Sequence, residues 1–505
     1  MASTTFAAID VGSNELTMKI YELSKQKGIR ELNYVRHKLS LGTETYTKGF
    51  ISYQTIDEIC NTLNDFKRIM ADFGVDNCQA YATSALREAS NCIVIIDQIK
   101  IQTGFKVIAL SNSEARFLYF KAMVSREPSF EELIQEGTLV VDIGAGSIQL
   151  SLFDKSKLQL TQNLLLGSSR IQELLQAMQE EAYDFRALIN EYIEKDLVIF
   201  KRLNPQLIDV KHIVTVGEMI PETYYQIKKI RPEFDGLLQK KWLSKNKLAK
   251  ELLGSKARLL LPTVLLCQKI SSLIECNDIH LTDLHLCDGI VAEYAERKLR
   301  ITSGHDFTED ILSASINIAN KYRVDLEHVK NVQVLALQIF DRIRKLHGLG
   351  KRERLLLQIG VILHSCGAYI NETQSRECSY RIIMSTEIIG ISHKERVIVA
   401  NMVRYNDASF PRYEDIDDED FTHEEYITIV KLNAILKTAN VLDKSNRQKI
   451  KNVGVTLQDG TLTITADTMA DITLEKGLFH HKADVFEEVF GIRPQLRQKR
   501  SGKRG

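Results

Sequence analysis

The sequence predicts an α/β protein with two similar halves, followed by a mostly helical region that ends in a small α+β part. The main observation is a loop that occurs twice, as Asp-Val-Gly-Ser-Asn-Glu at 10–15 and as Asp-Ile-Gly-Ala-Gly-Ser at 142–147. Each loop lies between two strand-like apolar runs, so each half is expected to begin with a β-hairpin. Strand and helix patterns alternate after each hairpin, and helical patterns dominate from about residue 311.

The bulk composition is typical of a soluble enzyme with more than one domain. The chain has 505 residues, 44% hydrophobic and 26% charged, a length at which about two to four domains are expected. The chain has 66 Lys and Arg residues and 66 Asp and Glu residues, so its formal net charge is zero and gives no indication of a nucleic-acid or membrane partner. No apolar run spans a membrane, a strand pattern begins almost at the N-terminus, and no Cys-x-x-Cys pair occurs. We therefore expect a cytoplasmic protein without a signal peptide, zinc site or disulfide framework.

The first predicted domain covers 1–125. Residues 55–73 place Ile56, Ile59, Leu63 and Phe66 at helical spacing, which predicts an amphipathic helix. Strands are expected at 6–9, 16–21, 31–39, 79–82 and 105–110, with further helices after residues 89 and 111.

The second predicted domain, 126–303, repeats this order. Hairpin strands are expected from 138 to 166, helices after Gly167 and at 185–200, a strand at 212–216, and mostly helix to about 298.

The third predicted domain, 304–505, is a helical bundle with a small ending. Strands at 456–457 and 461–465 flank Asp459-Gly460, a strong hairpin signal. The segment 493–505 contains several basic residues and no acidic residue. We expect a disordered, solubilising tail there, the alternative being a weak contact with a polyanion.

The two loops suit phosphate and metal binding. Glycine lets a backbone approach a ligand closely, successive N–H groups form an anion-binding nest, and a carboxylate suits Mg²⁺. The alternative is a purely structural turn, because Asp and Gly are ordinary turn residues. The candidate residues are Asp10, Gly12, Ser13 and Asn14 in the first loop, and Asp142, Gly144, Ala145, Gly146 and Ser147 in the second.

Two further candidates follow predicted strands. Arg87 closes a polar cluster with Thr83 and Ser84, where a guanidinium would grip a phosphate or form only a surface salt bridge. Glu114 follows Ser111 at capping-box spacing, so it satisfies a helix N-terminus or, if it faces the two loops, acts in catalysis.

These residues together resemble the exopolyphosphatase/guanosine pentaphosphate phosphohydrolase (Ppx/GppA phosphatase) family. The resemblance covers nearly the whole chain. Its motifs are Ala-Ile-Asp-x-Gly-Ser-Asn at 8–14, Ala-Thr-Ser-Ala-x-Arg-x-Ala-x-Asn at 82–91, Glu-Ala-Arg at 114–116, Asp-Ile-Gly-x-Gly-Ser at 142–147 and Leu-Gly-Ser at 166–168. The resemblance implies two domains with the fold of actin, hexokinase and the Hsp70 ATPase domain, then an HD-like helical domain.

The resemblance also implies an activity and residue roles. Family members use Mg²⁺ to remove terminal phosphates from inorganic polyphosphate, or the 5′ γ-phosphate from guanosine pentaphosphate. Glu114 would be the general base, and Asp10 and Asp142 would hold Mg²⁺ or its waters. The backbone at 12–14 and 144–147, with Arg87, would bind terminal phosphates. A homodimer is expected. A sugar or acetate kinase on the same fold is the less favoured reading, because the 82–91 motif is typical of the phosphatases.

The sequence departs from the family pattern in several places. Gln149 replaces an acidic residue that helps bind metal, Ile148 also differs, and Glu218-Met219 follow Gly217 where Gly-Thr is typical. Glu15 and Glu218 would partly replace the lost carboxylate. These departures favour an alternative, a diverged and weakly active or inactive member that binds polyphosphate or nucleotide as a sensor or scaffold.

The metal pattern of the HD-like domain is eroded as well. The departures are Ser365-Cys366 after His364, and Cys378, Asn406 and Asn440 at expected ligand positions. We therefore expect His347 and His364 to be structural and Asp443 to hold no metal alone. The domain would serve a dimer interface or a polyphosphate channel.

Overall fold

A computed structural model of the protein describes residues 3–127, 129–176, 178–230, 237–239, 260–276, 278–301, 305–415, 422–458 and 460–499. The chain divides into two compact units, Met1–Phe307 and Thr308–Gly505. The predicted domain boundary at 125/126 lies inside the first unit, and the one at 303/304 lies a few residues before the boundary between the units. Among the helices that the structure describes, none has the length and hydropathy needed to cross a lipid bilayer.

The first unit contains two mixed sheets. The strands of the first sheet are β1 (Thr4–Val11), β2 (Glu15–Ser24), β3 (Gly28–Lys38), β4 (Asn77–Ala82) and β5 (Val107–Ala109). Their order is β3-β2-β1-β4-β5, with β1 antiparallel to β2 and parallel to β4. The apolar run Phe6–Ile9 is buried because β1 is the central strand of the sheet.

The second sheet repeats the strand order of the first. Its strands are β6 (Thr138–Ile143), β7 (Ile148–Asp154), β8 (Lys157–Leu164), β9 (His212–Val216), β10 (Leu237–Gln239) and β11 (Asp278–Leu281). Their order is β8-β7-β6-β9-β11-β10, so β6 takes the central place of β1 and β10 is an additional edge strand. The predicted equivalence of the two halves is therefore confirmed at the level of strand order.

Helices connect and cover these strands. In the first half they are α1 (Leu41–Lys48), α2 (Tyr53–Asp72), α3 (Ser84–Glu88), α4 (Cys92–Thr103) and α5 (Asn112–Arg126). In the second half they are α6 (Phe130–Leu133), α7 (Ser168–Gln176), α8 (Phe185–Leu203), α9 (Ile220–Ile230), α10 (Leu260–Ile274) and α11 (Leu286–Tyr294). The amphipathic helix predicted at 55–73 is confirmed as α2, which the Ser52 hydroxyl caps and which buries Ile56, Ile59, Leu63 and Phe66.

The expectation of mostly helix after residue 217 is confirmed for the described residues, although the short strands β10 and β11, which were not expected, also lie there. Strand β11 pairs parallel with β9 and buries Ile279 and Leu281, so it completes the sheet. A run of only four residues is too short for a period of two to stand out against a helical pattern.

The second unit is mostly helical and carries one small sheet. Its helices are α12 (Phe307–Lys321), α13 (Leu326–Arg342), α14 (Arg344–His347), α15 (Lys351–Leu363), α16 (Ser375–Ser385), α17 (His393–Arg404), α18 (His423–Val441) and α19 (Thr473–Phe490). The sheet has the order β12 (Val453–Gln458), β13 (Thr461–Asp467) and β14 (Pro494–Lys499). The predicted hairpin is confirmed by the antiparallel pairing of β12 with β13, although Asp459 lies outside the described residues.

The prediction of a disordered basic tail was wrong for 494–499. This segment is β14, which pairs parallel with β13 and buries Pro494. Basic side chains alternate to the exposed face of the strand, so their charge does not prevent pairing. Arg493 reaches Asp484 at 2.7 Å and Glu487 at 2.9 Å. Residues 500–505 lie outside the described residues.

Candidate active site

The two glycine loops have the same backbone geometry and follow the central strands β1 and β6. The Gly12 N–H donates to the Glu15 carbonyl and the Gly144 N–H to the Ser147 carbonyl, both at 3.0 Å. A Cβ atom on Gly12 would lie 2.8 Å from the Glu15 oxygen, so the first turn requires glycine. The repeated turn that the sequence predicts is confirmed.

Side chains from both halves of the first unit meet at one small cavity of about 50 Å³. Its lining consists of Asp10, Thr83, Ser84, Arg87, Asn112, Ala115, Arg116, Tyr119, Asp142, Gly144, Ala145, Gly146, Ser147 and Glu218. The lining therefore includes both predicted aspartates, Arg87 and every predicted site residue of the second loop. A volume of this size holds a few water molecules.

The other predicted first-loop residues lie beside this cavity and contact its wall. The Ser13 hydroxyl lies 3.3 Å from the Ser84 hydroxyl. The Asn14 side chain donates to the Ser169 hydroxyl at 3.3 Å, which connects the first loop to α7. The sequence-predicted loop residues are thus brought together around a single site.

Asp10 is the aspartate that opens the first loop. Its Oδ1 atom is buried and accepts no hydrogen bond from the residues that the structure describes. Burial raises the pKa of Asp10 well above its usual value, and the carboxylates of Glu218 and Glu15 raise it further. The Asp10 carboxylate is therefore costly to keep ionised unless a cation approaches it.

Asp142 is held by an arginine that the sequence analysis gave no role. The Arg116 Nε atom lies 3.4 Å from Asp142 Oδ2, and both side chains are less than a tenth exposed. The same guanidinium donates to the Ser147 hydroxyl at 3.0 Å. The sequence contained a signal, since Arg116 is the last residue of the Glu-Ala-Arg motif at 114–116.

Arg87 is fixed in place by its own half of the first unit. Its guanidinium donates to the Leu110 carbonyl and to the Asn112 side chain, both at 2.6 Å. Glu88 lies 3.8 Å away, a longer ion pair between partly exposed groups. These contacts hold the guanidinium at the cavity wall, where phosphate binding by Arg87 stays a prediction.

Glu114 forms the capping box that the sequence analysis weighed as an alternative. Its Oε2 atom accepts hydrogen bonds from the Ser111 N–H at 2.9 Å and from the Ser111 hydroxyl at 2.6 Å. At about 100° per residue, Glu114 lies on the other side of α5 from Asn112 and Arg116, which line the cavity. The capping box is confirmed, and the role of Glu114 as a general base stays a prediction.

Glu218 is the carboxylate that faces the first loop from the second half. Its Oε1 atom accepts from the Asn14 backbone N–H at 2.7 Å and from the Asn14 side-chain amide at 3.0 Å. Burial raises the pKa of Glu218 to about 7, although these hydrogen bonds lower it. The sequence marked Glu218 as a departure from a family pattern and as a partial replacement for a lost carboxylate, but could not show which loop it contacts.

Two more residues that the sequence analysis missed connect the halves. Arg170 donates to Glu88 at 2.7 Å and to the Gly146 carbonyl at 2.8 Å, and its guanidinium stacks over the Tyr46 ring. The Tyr46 hydroxyl in turn donates to Ser84 at 3.1 Å. These contacts hold the second loop against the first half, and no local pattern in the sequence announces such long-range pairs.

Gln149 lies opposite Asp142 in the β6–β7 hairpin and is buried. Its amide nitrogen donates to the Thr161 hydroxyl. An amide cannot supply the negative charge of the carboxylate that the family pattern has at this place.

A magnesium ion is compatible with Asp10 more readily than with Asp142. The described residues contain no group of three or more His, Cys, Asp or Glu side chains that could hold a metal. Mg²⁺ often binds through one or two carboxylates with water and substrate phosphate, so such a cluster is not required. The unbonded Oδ1 of Asp10 and its repulsion from Glu218 fit a cation. Asp142 fits less well, because Arg116 already neutralises it.

Within the second unit, three buried histidines contact polar side chains or backbone carbonyls of the helical domain. His328 binds Asp443 through Nδ1 at 2.9 Å and Asn440 through Nε2 at 3.2 Å. His364 donates through Nδ1 to the Val361 carbonyl, and burial lowers its pKa to about 4. His347 is buried, with Nε2 2.9 Å from the Phe340 carbonyl.

The fold and the cavity define an α/β protein with two equivalent sheets and paired glycine loops that meet at one site. The chain belongs to the Ppx/GppA phosphatase family, whose profile matches residues 20–280. A second profile, for domain III of Ppx/GppA phosphatases, matches 312–483. The resemblance predicted from the motifs is confirmed, whereas the HD-like character of the helical domain stays a prediction.

Individual relatives are distant. The bifunctional 3-dehydroquinate synthase/phosphatase of Fusobacterium nucleatum is 26% identical over 229 residues, which is 43% of this chain and 34% of that protein. Exopolyphosphatase 1 of Mycobacterium tuberculosis is 26% identical over 163 residues, 32% of this chain and 46% of that protein. The chain thus spans less than half the length of these curated relatives.

Solved structures are similar over more than half of the chain. A Ppx/GppA family member from Aquifex aeolicus has a TM-score of 0.46 and 19% identity, covering 59% of this chain and 99% of that one. An exopolyphosphatase from Cytophaga hutchinsonii has a TM-score of 0.48 and 20% identity, covering 60% and 100%.

Proposed function

We propose that this protein is an exopolyphosphatase, which hydrolyses the terminal phosphoanhydride bond of inorganic polyphosphate. The observation that carries the proposal is the meeting of both Asp-x-Gly loops with Arg87 and Arg116 at one cavity. Guanidinium groups and backbone N–H groups are the donors that recognise phosphate oxygens. Membership of a phosphatase family supports the same reaction class.

Phosphoanhydride hydrolysis needs little covalent chemistry from the protein. It needs a positioned chain, neutralised charge and an oriented water. Arg116 and Ser147 supply donors beside the second loop, and Arg87 supplies a second guanidinium. A Mg²⁺ ion held by Asp10, and by Asp142 once its pair with Arg116 loosens, would neutralise phosphate charge. For Glu114 to accept the proton of the attacking water, its side chain would have to leave the Ser111 cap and turn toward the cavity from the other side of α5.

A second candidate function is a binding protein of the same family with little or no hydrolysis. Glu218 favours it, because its carboxylate faces the first loop where a phosphate would bind. Gln149 favours it too, because a neutral amide replaces a carboxylate next to Asp142. Guanosine pentaphosphate as the substrate rests on the family resemblance alone.

Phosphate release from long-chain polyphosphate in the presence of Mg²⁺ tests the proposal. We would measure the wild type beside Asp10→Asn, and binding of the same polymer beside release. Release that the substitution abolishes supports the exopolyphosphatase. A wild type that binds the polymer without releasing phosphate refutes the enzyme and favours the binding protein.

A further inference from the structure

Glu218 owes its position to the residue before it. Gly217 follows the last residue of β9 and has a φ of +126°, in a region that residues with side chains rarely adopt. A Cβ atom on Gly217 would lie 2.3 Å from the Ile143 carbonyl oxygen, so only glycine fits between β9 and the second hairpin. The chain therefore turns sharply at this point, and the following side chain is directed to the first loop of the other half.

The Glu218 carboxylate lies where an anion is expected to bind. Oε1 accepts from the Asn14 backbone N–H at 2.7 Å and from its side-chain amide at 3.0 Å, and the Ser13 backbone N–H also interacts with it. The same oxygen is 3.4 Å from the place that a Cβ on Gly12 would take. Successive N–H groups with a glycine are the arrangement that binds phosphate and other oxyanions.

The two loops differ in what faces them, although their backbones match. The first loop is faced by the Glu218 carboxylate, whereas Arg116 donates to the Ser147 hydroxyl of the second. A phosphate approaching the second loop meets a cation. A phosphate approaching the first loop meets a carboxylate that already uses the N–H groups.

We propose that Glu218 is an internal occupant of the first loop, which takes the place of a substrate phosphate and must leave before that phosphate binds. Glu218 is then a residue that limits affinity and sets which loop engages the substrate first. This inference rests on the proposed function in assuming that the first loop is a phosphate site.

The test is the affinity of the full chain for inorganic tripolyphosphate, measured by titration calorimetry without and with Mg²⁺. Glu218→Ala frees the N–H groups, so we expect it to bind about tenfold more tightly than the wild type without Mg²⁺. Glu218→Gln keeps an acceptor oxygen without the charge and should fall between the two. Glu222→Ala is the matched control, because this glutamate lies one turn further along, pairs with Arg36 at 3.1 Å and is not among the cavity's lining residues.

Unchanged or weaker binding by both Glu218 variants, with native circular dichroism, would overturn the proposal. The same holds if no variant binds tripolyphosphate. Phosphate release measured in parallel separates this inference from the proposed function. Tighter binding by Glu218→Ala without release by any variant supports the inference while the enzyme proposal fails. Phosphate release by the wild type without tighter tripolyphosphate binding by Glu218→Ala supports the enzyme proposal and refutes this inference.

Discussion

Glu114 offers a test of two roles for one carboxylate, a helix cap and a general base. Replacement by glutamine keeps an oxygen that can accept from the Ser111 N–H and hydroxyl, now 2.9 and 2.6 Å away. Glutamine is accepted at this position of a capping box, so we expect the free energy of unfolding to change by less than about 1 kcal/mol. Loss of the base should lower kcat for phosphate release about 10²- to 10⁴-fold.

Ser111→Ala is the matched control, because it weakens the cap and keeps the carboxylate. The Glu114 N–H loses its acceptor, the Ser111 hydroxyl at 3.3 Å, which should cost about 1 kcal/mol. We expect kcat close to that of the wild type for this variant. Urea unfolding and phosphate release from long-chain polyphosphate with Mg²⁺ measure the two effects. A Glu114→Gln protein that keeps the wild-type kcat would refute the assignment of Glu114 as the base. An equal loss of kcat in Ser111→Ala would show that the effect of Glu114→Gln comes from the weakened helix cap.

Three further predictions concern charges around the cavity. Arg116→Ala leaves the Asp142 carboxylate buried without its guanidinium, so the free energy of unfolding in urea should fall by about 3 to 5 kcal/mol, and a loss near zero would contradict the ion pair. Burial raises the pKa of Glu218 to about 7 from about 4.3 in the unfolded chain. Protonated Glu218 therefore contributes to the free energy of unfolding below the pKa of the unfolded chain, and this contribution is lost as the pH rises to about 7. Glu218→Gln should make the free energy of unfolding in urea less dependent on pH between these two pKa values. Arg170→Ala removes a partly exposed pair with Glu88, so stability should fall by less than about 1 kcal/mol while KM for polyphosphate rises, and an unchanged KM would argue against a role at the site.

Elements set by local sequence could be predicted, and elements set by distant pairing could not. The two hairpins follow from a glycine turn between apolar runs, and α2 follows from apolar spacing over several turns. Strand β11 has four residues and exists because β9 offers a partner. Strand β14 carries mostly polar and basic residues, yet it pairs with β13, which charge composition alone does not reveal.

The candidate site was predictable to the same extent. A turn that needs glycine at residue 12 is visible in one short segment, and so is the capping pair of Ser111 and Glu114. The partners of these segments come from far along the chain, as with Glu218 against Asn14. Sequence position gives no measure of such distances, so the most informative contacts of the site came only from the structure.

The difference between the two loops argues for a division of labour that their shared backbone hides. If repetition alone determined function, both loops would bind phosphate in the same way. Side chains from outside each loop break this equivalence, because the Glu218 and Asp10 carboxylates lie at the first loop and the Arg116 guanidinium lies at the second. A phosphate group therefore meets a guanidinium at the second loop and a carboxylate at the first. On this argument the second loop engages the terminal phosphate first, and the first loop becomes available to a phosphate only once Glu218 leaves it, which is the order that the Glu218 substitutions test.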